Sequence, residues 1–321
     1  MNVVEVKKLL KTHLSPLSQM CFLMNNNLSI EKNFETFLLL CYNQIMDTKS
    51  FESIIPTALH TQYPLTFTDI PFSKGMFNEL CKAGFPENFK NDTLAIELEA
   101  RYKLIDKLLE QSGCTQILEL ACGYTTRGLA WCTKNQNIKY VEFDLPQIIN
   151  TKIRLIKNFS EIPSNLKFVS GNALCQEDIN SAIANFDISK PIAVINQGLM
   201  RYLNFDEKEI LAKNIYEVIK RNNGCRITCD VTPAKFIQTQ NKNISANYNK
   251  NLTAITDRNN ASWRFKNREH VNDFATKIGF NVEWHDFMEV LNELSSSKNL
   301  GISKVDAAKY LENPVVVMRK A

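Results

Sequence analysis

The chain has 321 residues, 44% of them apolar, and a formal net charge of +4. Those figures allow one large domain, or a domain with an appendage, around a sizeable core. The mild charge, with no basic stripe, argues against a nucleic-acid partner, and no window is long and apolar enough to span a membrane.

The chain begins without the basic start and long apolar run of a signal peptide. Its nine cysteines are scattered, with no C-x-x-C, as expected of free thiols in a reducing, cytoplasmic compartment. Residues 1–95 read as helical and irregular. Val3, Val4, Leu9 and Leu10 suggest one amphipathic helix, and Phe34, Phe37, Leu38, Cys41 and Ile45 another. Pro56, Pro64, Pro71 and Pro86 divide the stretch into short pieces. This predicts an N-terminal helical cap or lid, 1–95, on a main domain, 96–321. Asp92 and Thr93 are placed to cap a helix running to about Gln111, with Leu98, Tyr102, Ile105 and Leu109 on one face. Arg101 leaves that face, four residues after Glu97, a spacing that suits a surface ion pair.

The short apolar run Ile117–Ala121 reads as a buried parallel strand. Cys122-Gly-Tyr-Thr-Thr126 follows as a tight loop, and Arg127 opens a helical pattern. A second strand, Ile138–Phe143, ends on Asp144, and Pro146 suits the first turn of the next helix. Together these make a right-handed βαβ nucleotide-binding unit. A dinucleotide loop wants glycines in a G-x-G-x-x-G pattern. Here the three positions are Ala121, Gly123 and Thr126, so the loop suits a ligand without a pyrophosphate, such as S-adenosylmethionine. Asp144 would accept from the ribose hydroxyls in either case. A nicotinamide site and an empty βαβ unit remain as alternatives at this point.

Further along, Ile148–Phe159 reads as helix, Leu166–Ser170 as strand and Asn180–Phe186 as a short helix. Asn172, just past the third strand, could equally form a plain Asx turn. Pro191–Ile195 is a fourth strand ending in Asn196-Gln197-Gly198, and Phe205–Lys220 is a helix stopped by Asn222-Asn-Gly224. Arg226–Val231 is a fifth strand, in which Cys225 and Cys229 read as core thiols rather than metal ligands. The polar stretch 233–260 reads as surface helix and loop. The helix Arg268–Ile278 and the strands Gly279–Phe287 and Pro314–Met318 complete the chain.

Glu119-Leu-Ala-Cys-Gly-Tyr-Thr-Thr-Arg127 resembles the E-L-G-A-G-L-D-T-R loop of the leucine carboxyl methyltransferase family. Three further segments are similar to that family's motifs: Arg101-Tyr-Lys-Leu-Ile-Asp106, Tyr140-Val-Glu-Phe-Asp-Leu-Pro146 with Lys152 after it, and Asn196-Gln-Gly-Leu-Met-Arg-Tyr-Leu203. The resemblance runs from about Arg101 to Asp230. It implies a Rossmann-like class I fold: a seven-stranded, mostly parallel sheet with a C-terminal antiparallel hairpin and an N-terminal helical lid. It also implies that Arg101 grips the methionine carboxylate of S-adenosylmethionine and that Glu119, Ala121, Gly123 and Thr126 form the cofactor loop. Asp144 and Leu145 would then take the ribose side, Asn172 and Ala173 the adenine, and Gln197 the end of the fourth strand. The sequence departs from the family at Ala121, Thr125 and Gln197, where the family has glycine, aspartate and glutamate.

Methyl transfer from a sulfonium needs the acceptor oxygen on the methyl–sulfur axis in a dry site. None of the four histidines, His13, His60, His270 and His285, ends a core parallel strand. That favours an acceptor already ionised, a carboxylate with a pKa of about 4. Arg201 and Tyr202, just past the fourth strand, are the residues expected to hold it. The reading is thus an O-methyltransferase acting on a small carboxylate-bearing molecule, without metal. Two alternatives stay open: a protein C-terminal carboxyl as acceptor, and a regulatory protein that binds the cofactor without turnover.

Overall fold

The computed structural model describes residues 52–90, 92, 94–229, 231, 258, 261–311 and 313–321. The N-terminal helices expected from Val3 to Ile45 and the polar stretch 233–260, apart from Arg258, lie outside the described residues. Residues 54–321 form one compact unit.

Its centre is a seven-stranded sheet: β1 Gln116–Leu120, β2 Lys139–Asp144, β3 Leu166–Ser170, β4 Ile192–Asn196, β5 Cys225–Thr228, β6 Phe280–Asp286 and β7 Pro314–Lys320. The spatial order is β3-β2-β1-β4-β5-β7-β6. Strands β1 to β5 pair in parallel, and β7 runs antiparallel between β5 and β6. β1 and β4 are buried at every position, as continuous apolar runs require when helices cover both faces. This is the expected mostly parallel sheet, with the late antiparallel pair in place.

The main helices are α1 Ser73–Lys82, α2 Ala95–Ser112, α3 Arg127–Lys134, α4 Pro146–Ile156, α5 Gln176–Ala182, α6 Phe205–Ile219 and α7 Arg268–Ile278. Leu98, Tyr102, Ile105 and Leu109 on α2 are buried as predicted. Its start differs from the expectation: Leu94 is the N-cap and no side chain caps it. Pro146 opens α4, and Gly279 (φ +109°) closes α7. α6 begins with a capping box, Asn204 and Glu207 each accepting from the other's backbone N–H.

The short helix expected at Asn180–Phe186 lies four residues earlier. Glu177 and Asp178 supply the acidic first turn that an N-terminus favours, and Asp178 also accepts from the backbone N–H of Asn172 (2.8 Å). β5 stops at Thr228, short of Val231. Cys225 and Cys229 are buried in the main apolar core, as read. Among the described residues, no helix is long and apolar enough to cross a membrane.

Candidate active site

The parallel strands all end on one edge, and the βα loops gather there. The turn after β1 is tight. Ala121 and Gly123 both lie at φ +52°, a region glycine enters freely and alanine at a cost of about 1–2 kcal/mol. A Cβ at Gly123 would stand 3.5 Å from the Ala58 methyl, so Ala58 lies against the loop. Asp144, at the end of β2, fixes the turn from below. One of its oxygens accepts from Gly123 N–H and the other from Leu145 N–H, both at 2.7 Å. Burial pushes its carboxyl up, against the pull of those two bonds. A carboxylate has about four acceptor sites, so two backbone bonds leave capacity for a vicinal diol.

Thr126 is tethered outward. Its hydroxyl donates to Pro71 O at 2.6 Å, tying the loop to the segment before α1. Directly beneath lies Arg127, wholly buried. Its guanidinium donates to Asp106 (2.8 Å), Glu119 (2.6 Å) and Gln197 (3.0 Å) and stacks 4.2 Å from the Tyr102 ring centroid. The second oxygen of Glu119 accepts from Tyr140 Oη at 2.7 Å. One cation thus joins α2, β1, α3 and the end of β4. Burial raises Asp106 to about 6 against the adjacent guanidinium. With two carboxyls already on Arg127, the neutral Gln197 completes the fork without a third negative charge.

A second buried pair, Glu142 and Lys152 at 2.6 Å, lies under α3. A Cβ on Gly128 would come within 2.5 Å of Glu142 Oε1, so only glycine lets α3 cross there.

In the loop after β3, Asn172 Oδ1 accepts from Leu174 N–H at 2.9 Å, the Asx turn that was the alternative. Ala173 O accepts from Asn214 Nδ2 at 3.2 Å. Past β4, Met200–Tyr202 forms one 3-10 turn. Tyr202 is buried, the Arg201 guanidinium stands 5.9 Å from its ring centroid, and Arg258 Nε donates to its carbonyl at 3.1 Å. Among the described residues, the buried Nε of Arg101 has no hydrogen-bond partner. Glu97, one turn before Arg101, accepts from Asn313 Nδ2 at 2.8 Å, and the charge of Arg101 acts on its carboxyl.

The structure therefore brings Ala121, Gly123, Thr126, Asp144 and Leu145 together around one loop, with Glu119 and Gln197 joined through Arg127. Arg127 and Asp106 stood inside the quoted motifs, where their charge was the available signal. Ala58, Pro71 and Asn313 carried none, because their contacts depend on chain crossings far away in sequence.

The sheet order and loop are those of a Rossmann-like methyltransferase fold. Residues 70–216 match the family model of leucine carboxyl methyltransferases. The match begins upstream of the motifs, at the Pro71 segment that holds Thr126, and ends inside α6. A comparison with curated proteins finds no match.

Among solved structures, a DUF574 family protein of Streptomyces avermitilis shares the fold at TM-score 0.53 and 11% identity, over 81% of this chain and 97% of that one. Magnesium protoporphyrin IX methyltransferase of Synechocystis, solved with S-adenosylhomocysteine, superposes at 0.46 and 7% identity, over 78% and 96% of the two chains. Human N-acetylserotonin methyltransferase, solved with S-adenosylmethionine, gives 0.44 and 10%, over 79% of this chain and 59% of its own.

Proposed function

We propose that this protein transfers the methyl group of S-adenosylmethionine to a carboxylate oxygen of a small molecule. The residues present fit the cofactor. The β1–α3 turn is open in backbone conformation at Gly123, Asp144 retains acceptor capacity beside it, and the buried Nε of Arg101 lacks an acceptor among the described residues. In this reading Ala121, Gly123, Thr126, Asp144 and Leu145 shape the nucleoside side, and Asn172 and Ala173 border the adenine. Arg101 takes the carboxylate of the amino-acid end, and Gln197 holds the end of β4 through Arg127.

The observation that carries the acceptor assignment is the position of Arg201. It lies one 3-10 turn beyond the buried end of β4, at the edge where open α/β sheets bind ligands, with its guanidinium beside the Tyr202 ring. A fixed guanidinium there selects an anionic acceptor. Bound S-adenosylmethionine supplies an electrophilic methyl carbon on a sulfonium. The acceptor carboxylate, already ionised at neutral pH, forms the new C–O bond as the C–S bond breaks. The electron pair goes to sulfur, leaving a neutral thioether and a methyl ester. No proton moves, so no general base is required. In this reading the N-terminal segment, of which Ala58 lies against Gly123, covers the loop and keeps water from the reacting atoms.

Incubation with methyl-labelled cofactor and a panel of carboxylic acids tests this. The expected product releases labelled methanol in mild base, and Arg201→Ala raises KM with little change in kcat. A base-stable product overturns the carboxylate assignment. Cofactor binding without turnover on any acceptor would make the chain a binding protein instead.

A further inference from the structure

We propose that Glu97 is the carboxylate that binds the α-ammonium group at the amino-acid end of the cofactor, opposite the guanidinium of Arg101. This rests on the cofactor reading above and adds a residue to it.

Glu97 and Arg101 lie one turn apart on α2, a spacing that puts both on one face. α2 ends at Gly113, three residues before β1, so its first turns lie toward the edge where the parallel strands end. Arg201 reaches the same edge from β4. Asn313 reaches it from the entry to β7, whose antiparallel start pairs beside the end of β5, Thr228 opposite Val316. Four residues from three distant stretches therefore converge there.

One oxygen of Glu97 accepts from the neutral amide of Asn313 at 2.8 Å. Burial pushes its carboxyl up while the charges of Arg101 and Arg201 pull it down. Arg101 Nε, buried and without an acceptor among the described residues, shows that the closest possible partner on its own helix does not satisfy it. A fixed cation and a fixed anion, adjacent on one helix face, match a ligand with carboxylate and ammonium on one carbon. Such a ligand satisfies both groups. A ligand with only one charge leaves the other protein group desolvated, which penalises binding.

The test measures three ligands by calorimetry on the full chain: S-adenosylhomocysteine, its desamino analogue, which keeps the carboxylate, and 5′-methylthioadenosine, which lacks the whole amino-acid end. Wild type is expected to prefer S-adenosylhomocysteine over the desamino analogue by about tenfold or more, the size of one charge-assisted bond. Glu97→Gln, whose carbonyl can still accept from Asn313, is expected to abolish that preference while 5′-methylthioadenosine affinity stays within about twofold. Glu97→Asp keeps part of the preference and serves if the glutamine variant does not fold. A preserved preference in Glu97→Gln overturns the proposal, and so does an equal loss for all three ligands, which would mark a structural role. Failure of wild type to bind any of the three removes the cofactor reading and this proposal together.

Discussion

Ala121 turns through the left-handed region at φ +52° with a methyl group attached. Replacing it with glycine removes about 1–2 kcal/mol of backbone strain and adds about 0.5–1 kcal/mol of unfolded-state entropy. Ala121→Gly should therefore stabilise the fold by up to about 1 kcal/mol, read as a higher urea midpoint at unchanged slope. A loss of more than about 1 kcal/mol would show that the methyl packs usefully. At this scale the sequence revealed residue type but not geometry. Ala121 was visible as a departure from glycine, yet its handedness is a property of the folded turn. Arg127 was visible as a charge, yet the wholly buried ligation of Asp106, Glu119 and Gln197 depends on four segments meeting.

The β1–α3 loop is held at two points, by Asp144 through Gly123 and by Pro71 through Thr126. Thr126→Val keeps the shape and deletes the second bond, leaving the Pro71 carbonyl to find another donor. A loss of about 1–3 kcal/mol in stability is expected, with weaker S-adenosylhomocysteine binding by calorimetry, and Thr126→Ser should restore both. No change in either quantity would mean that the tether is idle.

Elements with strong local signals were legible at this level. β3 and α7 lie where their periodicity put them, and Asn222-Asn223-Gly224 stops α6. The α5 region was misplaced because its acidic first turn outweighed the later apolar residues. β5 is short because pairing with β4 and β7 ends at Thr228, whatever follows in an extended pattern.

Over the described residues, interior carboxyls pushed up by burial, Asp106 and Glu142 among them, set a pH dependence. Burial raises Asp106 to about 6 and Glu142 to about 7, each against a nearby cation. Their unfolded values are about 4, so the folded chain binds the extra protons between about pH 4 and 7. The stability linked to them is complete below about pH 4 and is lost as pH rises through 6 and 7. Thermal midpoints should therefore decline between pH 5 and 8, and Asp106→Asn should make that decline shallower. A midpoint that instead climbs steadily over that range would contradict the raised values.

β7 is hydrogen-bonded on both sides, to β5 and to β6, whereas β6 pairs with β7. The stretch from Ser295 to Leu311 that leads into β7 carries exposed positions, Val305 among them. A single protease nick there that freed β7 would uncover two sheet margins at once, each a row of unpaired amides able to recruit another chain. A cut in that one connection would thus turn a paired sheet into a seed for association with other chains.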